Sequence, residues 1–447
     1  MKEPAVLYIP VGRKTFDMEA AEAYWEETKV LLQEECPRLV QPEGILTSPE
    51  ELETFLKSVA EEIGLIIYQS VTFADGEFIY TITQHSQAPV LVWSVREPSI
   101  NGRLRLNSLT GGNSTSHVLQ TARHPYSFVF GNPEEAHVRK TIRKTAGVQN
   151  VIAKLKQLNV GVIGEHQPGF YFSGTDEAYL QEELGVNVEH IDLQAAFDAS
   201  KELTEPEYAP LIEEADQHVI GLKRDDHTVQ RFAQFSSHVR SLVQDKDIHA
   251  LAIRCWPEFF NELGAAACST LSHFTEQGTV SACESDIHGS VSMFILQEIS
   301  GGSAPYLGDM VHVNEASNSV VFWHCGAGAY SLAHPSQGAV PGVHPNRKLG
   351  FAMDFGLKPG KVTMFRLGYT PDGFRLLIMR GEALDTPKRF QGTSVEVALE
   401  TDVTDTVQTL MEAGYEPHYG LVYEDVVDEL IELGRQLDLP TDVLTHG

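Results

Sequence analysis

Short apolar runs alternate with segments of helical periodicity over the first two-thirds of the chain. Residues 6–10, 64–68 and 89–93 are almost continuously apolar, which is typical of strands that helices cover on both faces of a sheet. Helical periodicity is found between these runs, over residues 18–36 and 49–63. The alternation predicts a parallel sheet whose strands are connected by crossover helices.

The alternation starts again at residue 160, and the pattern changes near residue 306. Further helices are predicted over 134–158, 206–244 with a break near 223–226, 289–299, 405–413 and 424–437, and further strands over 160–164, 250–254, 279–283 and 418–422. Residues 306–399 consist of short β-type runs separated by Gly, Pro and Asn turns. This pattern indicates antiparallel strands in a barrel or a sandwich.

The glycine-rich segment 111–116 interrupts the first alternating region. It lacks the lysine of a phosphate-binding P-loop and the glycine spacing of a dinucleotide site. We therefore interpret it as a flexible loop rather than as a phosphate cradle.

The charge balance excludes whole classes of partner. The chain has 447 residues, with 33 Lys and Arg against 62 Asp and Glu, a formal net charge of −29. Such a chain repels phosphate backbones and anionic lipid surfaces, so we expect neither a nucleic acid nor a membrane as partner. No apolar run approaches the roughly 20 residues of a membrane-spanning helix. Met1–Pro4 leads into a strand too short for a secretion signal, which predicts a cytoplasmic protein.

The cysteines point to a reducing compartment. There are five, at positions 36, 255, 268, 283 and 325, and they form no CxxC pair. This odd number and sparse spacing predict reduced thiols, and argue against a disulfide framework and a structural zinc site. Cys268 and Cys283 are interpreted as small buried hydrophobic residues.

Polar side chains follow several predicted strands at their carboxyl ends, where open α/β sheets bind ligands. These residues are Glu258, Glu284, Asp286, Asp309 and His324, with His418 at the start of a late strand. Carboxylates and imidazoles without a thiolate cluster suit a divalent cation such as Mn²⁺ or Mg²⁺. The structural alternatives are a helix cap for Asp286, a charge at a helix start for Glu258 and a turn residue for Asp309. The two histidines have a core or surface position as their alternative.

A basic spot lies at residues 343–348 of this acidic chain. It contains His344, Arg347 and Lys348. Arg347 is our candidate to bind an anionic substituent of a ligand, and a solvated turn is the alternative interpretation.

Several segments taken together resemble the L-fucose/L-arabinose isomerase superfamily. They are residues 254–259 (RCWPEF), 282–289 (ACESDIHG), 307–309 (LGD) and 323–326 (WHCG), with further similarity at 72–76, 362–367 and 417–419. The resemblance spans nearly the whole chain. It implies an α/β fold with two Rossmann-like parallel-sheet domains, 1–155 and 156–302, followed by a C-terminal antiparallel β-barrel domain with terminal helices, 303–447.

The resemblance also implies an enzyme, an intramolecular oxidoreductase of the aldose–ketose isomerase type. Its cofactor would be Mn²⁺ or another divalent cation such as Mg²⁺ or Co²⁺. The enzyme would assemble as a homo-oligomer, either a hexamer or another trimer-based assembly. Asp286 matches the Asp of the metal motif of the family, His418 its late His, and His324 an additional histidine of arabinose isomerases.

The first Glu of the metal motif is where this sequence departs from the family. Direct spacing places it near Cys268, where the chain has no carboxylate. Glu258 or Glu262 from the preceding turn, or Glu284, are the candidates to replace it, so the identity of this ligand stays open.

The expected mechanism is proton transfer through a cis-enediol, with a metal-assisted hydride shift as the alternative. Glu258 or Asp286 would abstract the C2 proton and the other would return it to C1, while Glu284, Asp309 and Arg347 would contact the sugar. L-Fucose and L-arabinose fit the class, and an anionic hexose such as sulfoquinovose fits the basic spot. The rival hypotheses are a non-catalytic cytoplasmic sugar-binding protein and another metal enzyme, a hydrolase or epimerase.

Overall fold

The N-terminal part of the chain folds as strands that alternate with helices. The structure is a computed structural model that describes residues 4–445, so residues 1–3, which entered the argument about a secretion signal, lie outside it. The strands are β1 (Ala5–Val11), β2 (Leu39–Val40), β3 (Ile63–Ser70), β4 (Val90–Ser94) and β5 (Tyr126–Phe130). The helices are α1 (Met18–Glu35), α2 (Pro49–Ser58), α3 (Gly76–His85), α4 (Ser108–Ala122) and α5 (Ala136–Leu155). All neighbouring strands are parallel, in the order β2-β1-β3-β4-β5, which confirms the first Rossmann-like sheet.

The glycine-rich segment 111–116 is helical, and the prediction of a flexible loop there is wrong. It lies inside α4, where Gly111 and Gly112 are buried. A Cβ atom on Gly112 would lie 2.1 Å from Ser94 Oγ on β4. The glycines therefore allow the helix to approach the sheet closely, and this packing requirement outweighs their low helix propensity.

A second parallel sheet, of four strands, follows in the chain. Its strands are β6 (Asn159–Ile163), β7 (Asn187–Ile191), β8 (Ala250–Ile253) and β9 (Val280–Cys283), in the order β7-β6-β8-β9. The helices are α6 (Glu177–Leu184), α7 (Leu193–Lys201), α8 (Glu205–Asp216), α9 (His227–Asp245), α10 (Cys268–Glu276) and α11 (Ile287–Ile299). This sheet is the second Rossmann-like element of the prediction, and the predicted break near 223–226 separates α8 from α9.

Six strands of the C-terminal part close into an antiparallel barrel. The remaining strands are β10 (Tyr306–Asn314), β11 (Ser319–His324), β12 (Pro341–Gly342), β13 (Ala352–Met353), β14 (Gly360–Thr370), β15 (Gly373–Ala383), β16 (Thr393–Leu399), β17 (His418–Val422) and β18 (Thr441–Leu444). The last helices are α12 (Val403–Ala413) and α13 (Val427–Gln436). The barrel order is β14-β17-β10-β11-β16-β15, and β15 pairs back to β14, which confirms the predicted barrel.

Helix α11 joins the second sheet to the barrel. It begins directly after β9, and it packs against the barrel strands β14 and β17. Its side chains are buried from Ile287 to Gln297, and Ser292 Oγ accepts a hydrogen bond from the Leu367 N–H of β14 at 2.9 Å. The turn between β9 and α11 is therefore held against the barrel, and this turn contains two of the predicted site residues.

The contacts divide the chain into two units. One contains the chain up to Lys154 together with Glu429–Leu439, and the other contains Leu155–Asp428 and the segment from Pro440 onwards. The three predicted domain ranges stay a prediction. Within residues 4–445, no helix has both the length and the apolar character that crossing a bilayer requires.

Candidate active site

A buried ion pair lies at the base of the candidate site. Asp286 is the N-cap of α11, where its Oδ1 accepts a hydrogen bond from the Gly289 N–H at 2.8 Å. Arg366 of β14 donates to Oδ2 at 2.6 Å and to Oδ1 at 3.1 Å, and both side chains are fully buried. Burial would raise the pKa of Asp286, but Arg366 and His418 hold it well below its usual range. Asp286 is thus a helix cap and also one half of a buried ion pair.

Asp286 also orients His418, the first residue of β17. His418 Nδ1 lies 2.8 Å from Asp286 Oδ2, and it is the donor because an ionised carboxylate can only accept. Its other nitrogen, Nε2, lies 3.2 Å from Glu284 Oε2 and 3.5 Å from Asp309 Oδ1. Burial would lower the pKa of His418, yet its hydrogen bond with Asp286 and the nearby Glu284 carboxylate raise it to about 10. A carboxylate on one nitrogen fixes the tautomer in the same way for metal-binding histidines.

Two carboxylates face this Nε2 atom from different elements. Glu284 lies in the turn after β9, where Glu284 and Ser285 have φ angles of 61° and 53°. Non-glycine residues rarely adopt this left-handed conformation, and such strain is concentrated at functional sites. Asp309 of β10 is the direct antiparallel partner of His418, and burial raises the pKa of Asp309. The sheet register thus positions the Asp309 carboxylate, and the strained turn positions the Glu284 carboxylate.

His324, the last residue of β11, completes a group of candidate metal ligands. Ligand atoms of Glu284, His324 and His418 all lie within 4.8 Å of one another. Within residues 4–445, Nε2 of His324 and Nε2 of His418 are buried without a hydrogen-bond partner. A buried polar atom without a partner is costly unless a ligand satisfies it, and this set of N and O donors suits Mn²⁺ or Mg²⁺. The residues present therefore fit a divalent cation.

Arg347 is connected to this group through an aromatic side chain. The Cζ atom of Arg347 lies 5.5 Å from the ring centroid of Trp256 and 5.8 Å from that of Phe260. Trp256 Nε1 donates to Glu284 Oε1 at 3.4 Å. The structure therefore places the Arg347 guanidinium beside the ring of Trp256, whose indole N–H contacts Glu284.

Glu258 is not among the residues that the structure brings together. Arg254 donates to its two carboxylate oxygens at 2.8 and 2.7 Å. Glu258 and Glu262 line a cavity of about 740 Å³ beside the carboxyl ends of β6, β7 and β8, and no other predicted site residue lines it. The salt bridge with Arg254 explains this placement, because it holds both oxygens of the Glu258 carboxylate within the turn that follows β8.

Two residues of the site have no candidate role in the sequence analysis. Arg366 is buried in the middle of an apolar strand, and a charge in such a strand requires a buried partner, which is the signal that could have identified it. Trp256 belongs to the segment that carries the resemblance, but nothing in its spacing indicates a contact with Glu284. The Arg366 pairing depends on how β14 of the barrel packs against α11, and the Trp256 contact depends on the pairing of β8 with β9.

Comparison with known proteins identifies the class of enzyme. No protein-family profile matches the chain. It is 57% identical over 444 residues to the sulfoquinovose isomerase of Priestia aryabhattai, a match that covers 99% of this chain and 100% of the relative. The sulfoquinovose isomerase of Alkalicoccus urumqiensis is 58% identical over 435 residues, 97% of this chain and 98% of the relative. That of Clostridium sp. (strain MSTE9) is 38% identical over 452 residues, 99% of this chain and 100% of the relative.

These matches confirm the expectation of an aldose–ketose sugar isomerase. Membership of the L-fucose/L-arabinose isomerase superfamily stays a prediction, and so do the manganese dependence and the oligomeric state. Since relatives with one shared name match over their full length, the chain belongs to the sulfoquinovose isomerase family.

Proposed function

We propose that this enzyme isomerises sulfoquinovose, an aldose with a sulfonate on C6, to the corresponding 2-ketose. The observation that carries the proposal is the position of Arg347 beside Trp256, which itself contacts Glu284 of the candidate metal group. The names of the relatives support the same substrate. A neutral sugar such as L-fucose would leave the guanidinium of Arg347 without an anionic partner, so the anionic sugar is the better candidate.

The proposed cofactor is Mn²⁺, and its proposed ligands are Glu284, Asp309 and His418, with His324 as a fourth. Such an ion would supply Lewis-acid polarisation of the sugar carbonyl and the neighbouring hydroxyl. Asp286, which matches the metal motif of the resembling family, has both oxygens engaged by Arg366, His418 and the helix N-terminus. Its proposed role is therefore to position His418 rather than to bind the ion.

Proton transfer is assigned to the two carboxylates that face the site. Glu284 is partly exposed, with 17% of its side chain accessible, so a substrate can reach it. Burial raises the pKa of the Asp309 carboxyl above its ordinary value, which makes its carboxylate a stronger proton acceptor. One group would take the proton from C2 of the open-chain sugar and the other would deliver a proton to C1, through a cis-enediol. This pair replaces Glu258 and Asp286 in the expected mechanism.

The sulfonate contact gives a direct test of the substrate. Replacing Arg347 by Ala should raise the KM for sulfoquinovose by about 10- to 100-fold, since a charge-assisted contact contributes about 1.5–3 kcal/mol. Turnover of any slowly converted neutral aldose should stay within about twofold, because such a sugar has no sulfonate to lose. The measurement is steady-state formation of the ketose from both kinds of sugar.

The matched control is Arg224→Ala, which removes the same charge from an exposed loop and should change neither KM. An equal loss on neutral and sulfonated sugars in Arg347→Ala would contradict the assignment of Arg347 to the sulfonate. A wild-type enzyme that forms no ketose from sulfoquinovose would contradict the proposed function itself.

A further inference from the structure

Four of the five cysteines lie together in the second unit. Cys255, Cys268, Cys283 and Cys325 are all buried, and Cys268 Sγ lies 3.3 Å from Cys325 Sγ. The spacing along the chain gives no sign of the cluster, because its members come from the ends of three strands and the start of α10.

One face of this cluster includes a histidine nitrogen. Ligand atoms of Cys283, His324 and Cys325 all lie within 4.8 Å of one another, and His324 Nδ1 lies 3.2 Å from Cys325 Sγ. Since Nδ1 faces the thiols, Nε2 is the nitrogen that is left for Glu284 and His418. His324 thus separates a sulfur-rich group from the carboxylate group of the candidate active site.

We propose that Cys283, Cys325 and Nδ1 of His324 form a second cation site, for a thiophilic d¹⁰ ion such as Zn²⁺ or Cd²⁺. Thiolate and imidazole donors favour such ions over Mn²⁺ or Mg²⁺, which prefer oxygen. On binding, the two thiols each release a proton, so a divalent ion and two thiolates together carry no net charge. Neutrality matters because an uncompensated charge in this buried position would be strongly unfavourable. The ion would replace the Cys325 N–H, which donates to Nδ1 at 2.9 Å.

Occupation of this site would act on the neighbouring one. Nε2 of His324 can bind a cation only when the ring proton lies on Nδ1, where it faces Cys325 Sγ, and an ion on Nδ1 excludes that tautomer. A thiophilic ion would therefore weaken Mn²⁺ binding and inhibit the isomerase. This consequence rests on the proposed function, whereas the thiol site itself does not.

Cadmium titration of the metal-free protein tests the site without any sugar. The wild type should bind one Cd²⁺ with a thiolate-to-cadmium charge-transfer band in the ultraviolet. The band should disappear in Cys283→Ser and persist in Glu284→Gln and in Cys36→Ser, whose cysteine is buried in the first unit. A wild-type protein without the band, or an unchanged band in Cys283→Ser, would overturn the proposal.

Two measurements on the wild type keep the test independent of variants that fold poorly. X-ray absorption of the zinc-loaded protein should show two sulfur neighbours at about 2.3 Å, and a shell of only oxygen and nitrogen would overturn the proposal. Zn²⁺ should raise the Kd of Mn²⁺, measured from the spin-resonance signal of the free ion, by about tenfold or more. An unchanged Kd would contradict the shared role of His324, whatever the activity on sulfoquinovose.

Discussion

Replacement of Glu284 by Gln is expected to lower kcat/KM for sulfoquinovose by about a thousandfold and to weaken Mn²⁺ binding. The amide keeps the size of the side chain but loses the negative charge that would hold the ion. It also cannot accept a proton, and a positioned general base contributes about 10²–10⁴ in rate. The measurements are ketose formation under saturating Mn²⁺, and Mn²⁺ affinity from the spin-resonance signal of the free ion.

Glu262→Gln is the matched control for this variant. Glu262 was one of three candidates for the first metal ligand, but it is exposed and lines the cavity beside β6, β7 and β8. Its replacement should leave kcat/KM and Mn²⁺ affinity within about twofold of the wild type. If Glu284→Gln kept more than about a tenth of wild-type activity while Glu262→Gln lost it, Glu262 would be the ligand and the proposed site would be wrong.

Arg366→Met is expected to lower the free energy of unfolding by about 3–5 kcal/mol at neutral pH. The variant leaves the fully buried Asp286 carboxylate without its cation, although the hydrogen bonds from His418 and Gly289 remain. Breaking a buried pair by removing one partner is far more damaging than losing an exposed pair. Urea denaturation of both proteins measures the difference.

The pH dependence distinguishes lost charge pairing from lost packing. In the wild type, the low pKa of Asp286 contributes stability that is present above the usual carboxyl range and is lost as the pH falls. In Arg366→Met, His418 remains beside Asp286 but Arg366 is lost, so the pKa of Asp286 rises above its wild-type value. The difference in free energy of unfolding should therefore shrink as the pH falls below about 4, the ordinary carboxyl pKa.

The control for Arg366→Met is Arg224→Met, which breaks the exposed ion pair with Asp216. It should cost less than about 1 kcal/mol at every pH. A loss in Arg366→Met that stays the same from neutral to acidic pH would show that the side chain matters only for packing.

The sequence predicts several residues of the candidate site because parallel strands end at a common edge. Glu284 and Asp286 follow β9, and this rule alone places them where ligands bind. The positions of Asp309, His324 and His418 at predicted strand ends or starts also made them candidates, and these residues belong to neighbouring barrel strands in the order β17-β10-β11. Their proximity follows from the barrel register, and periodicity along the chain does not reveal that register.

The parts that could not be predicted are those fixed by non-local pairing. Asp286 resembles a metal ligand in sequence, but Arg366, 80 positions away, occupies its oxygens. Glu258 is the exception, because the ion pair with Arg254 that engages its carboxylate is a local i,i+4 pair. The sequence of Gly111 and Gly112 is typical of a loop, because the helix propensity of single residues does not show that α4 packs closely against Ser94.

Deuterium exchange with sulfoquinovose in D₂O tests the central claim most directly. The metal-depleted enzyme, prepared with EDTA, is compared with the same enzyme after addition of Mn²⁺. The account predicts that ketose forms only with Mn²⁺, and that it carries solvent deuterium at C1, because the carboxyl group that delivers the proton to C1 has exchanged that proton with solvent. Ketose without deuterium would contradict proton transfer by Glu284 and Asp309 and point to a hydride shift. Equal turnover in the EDTA-treated enzyme would contradict the metal site.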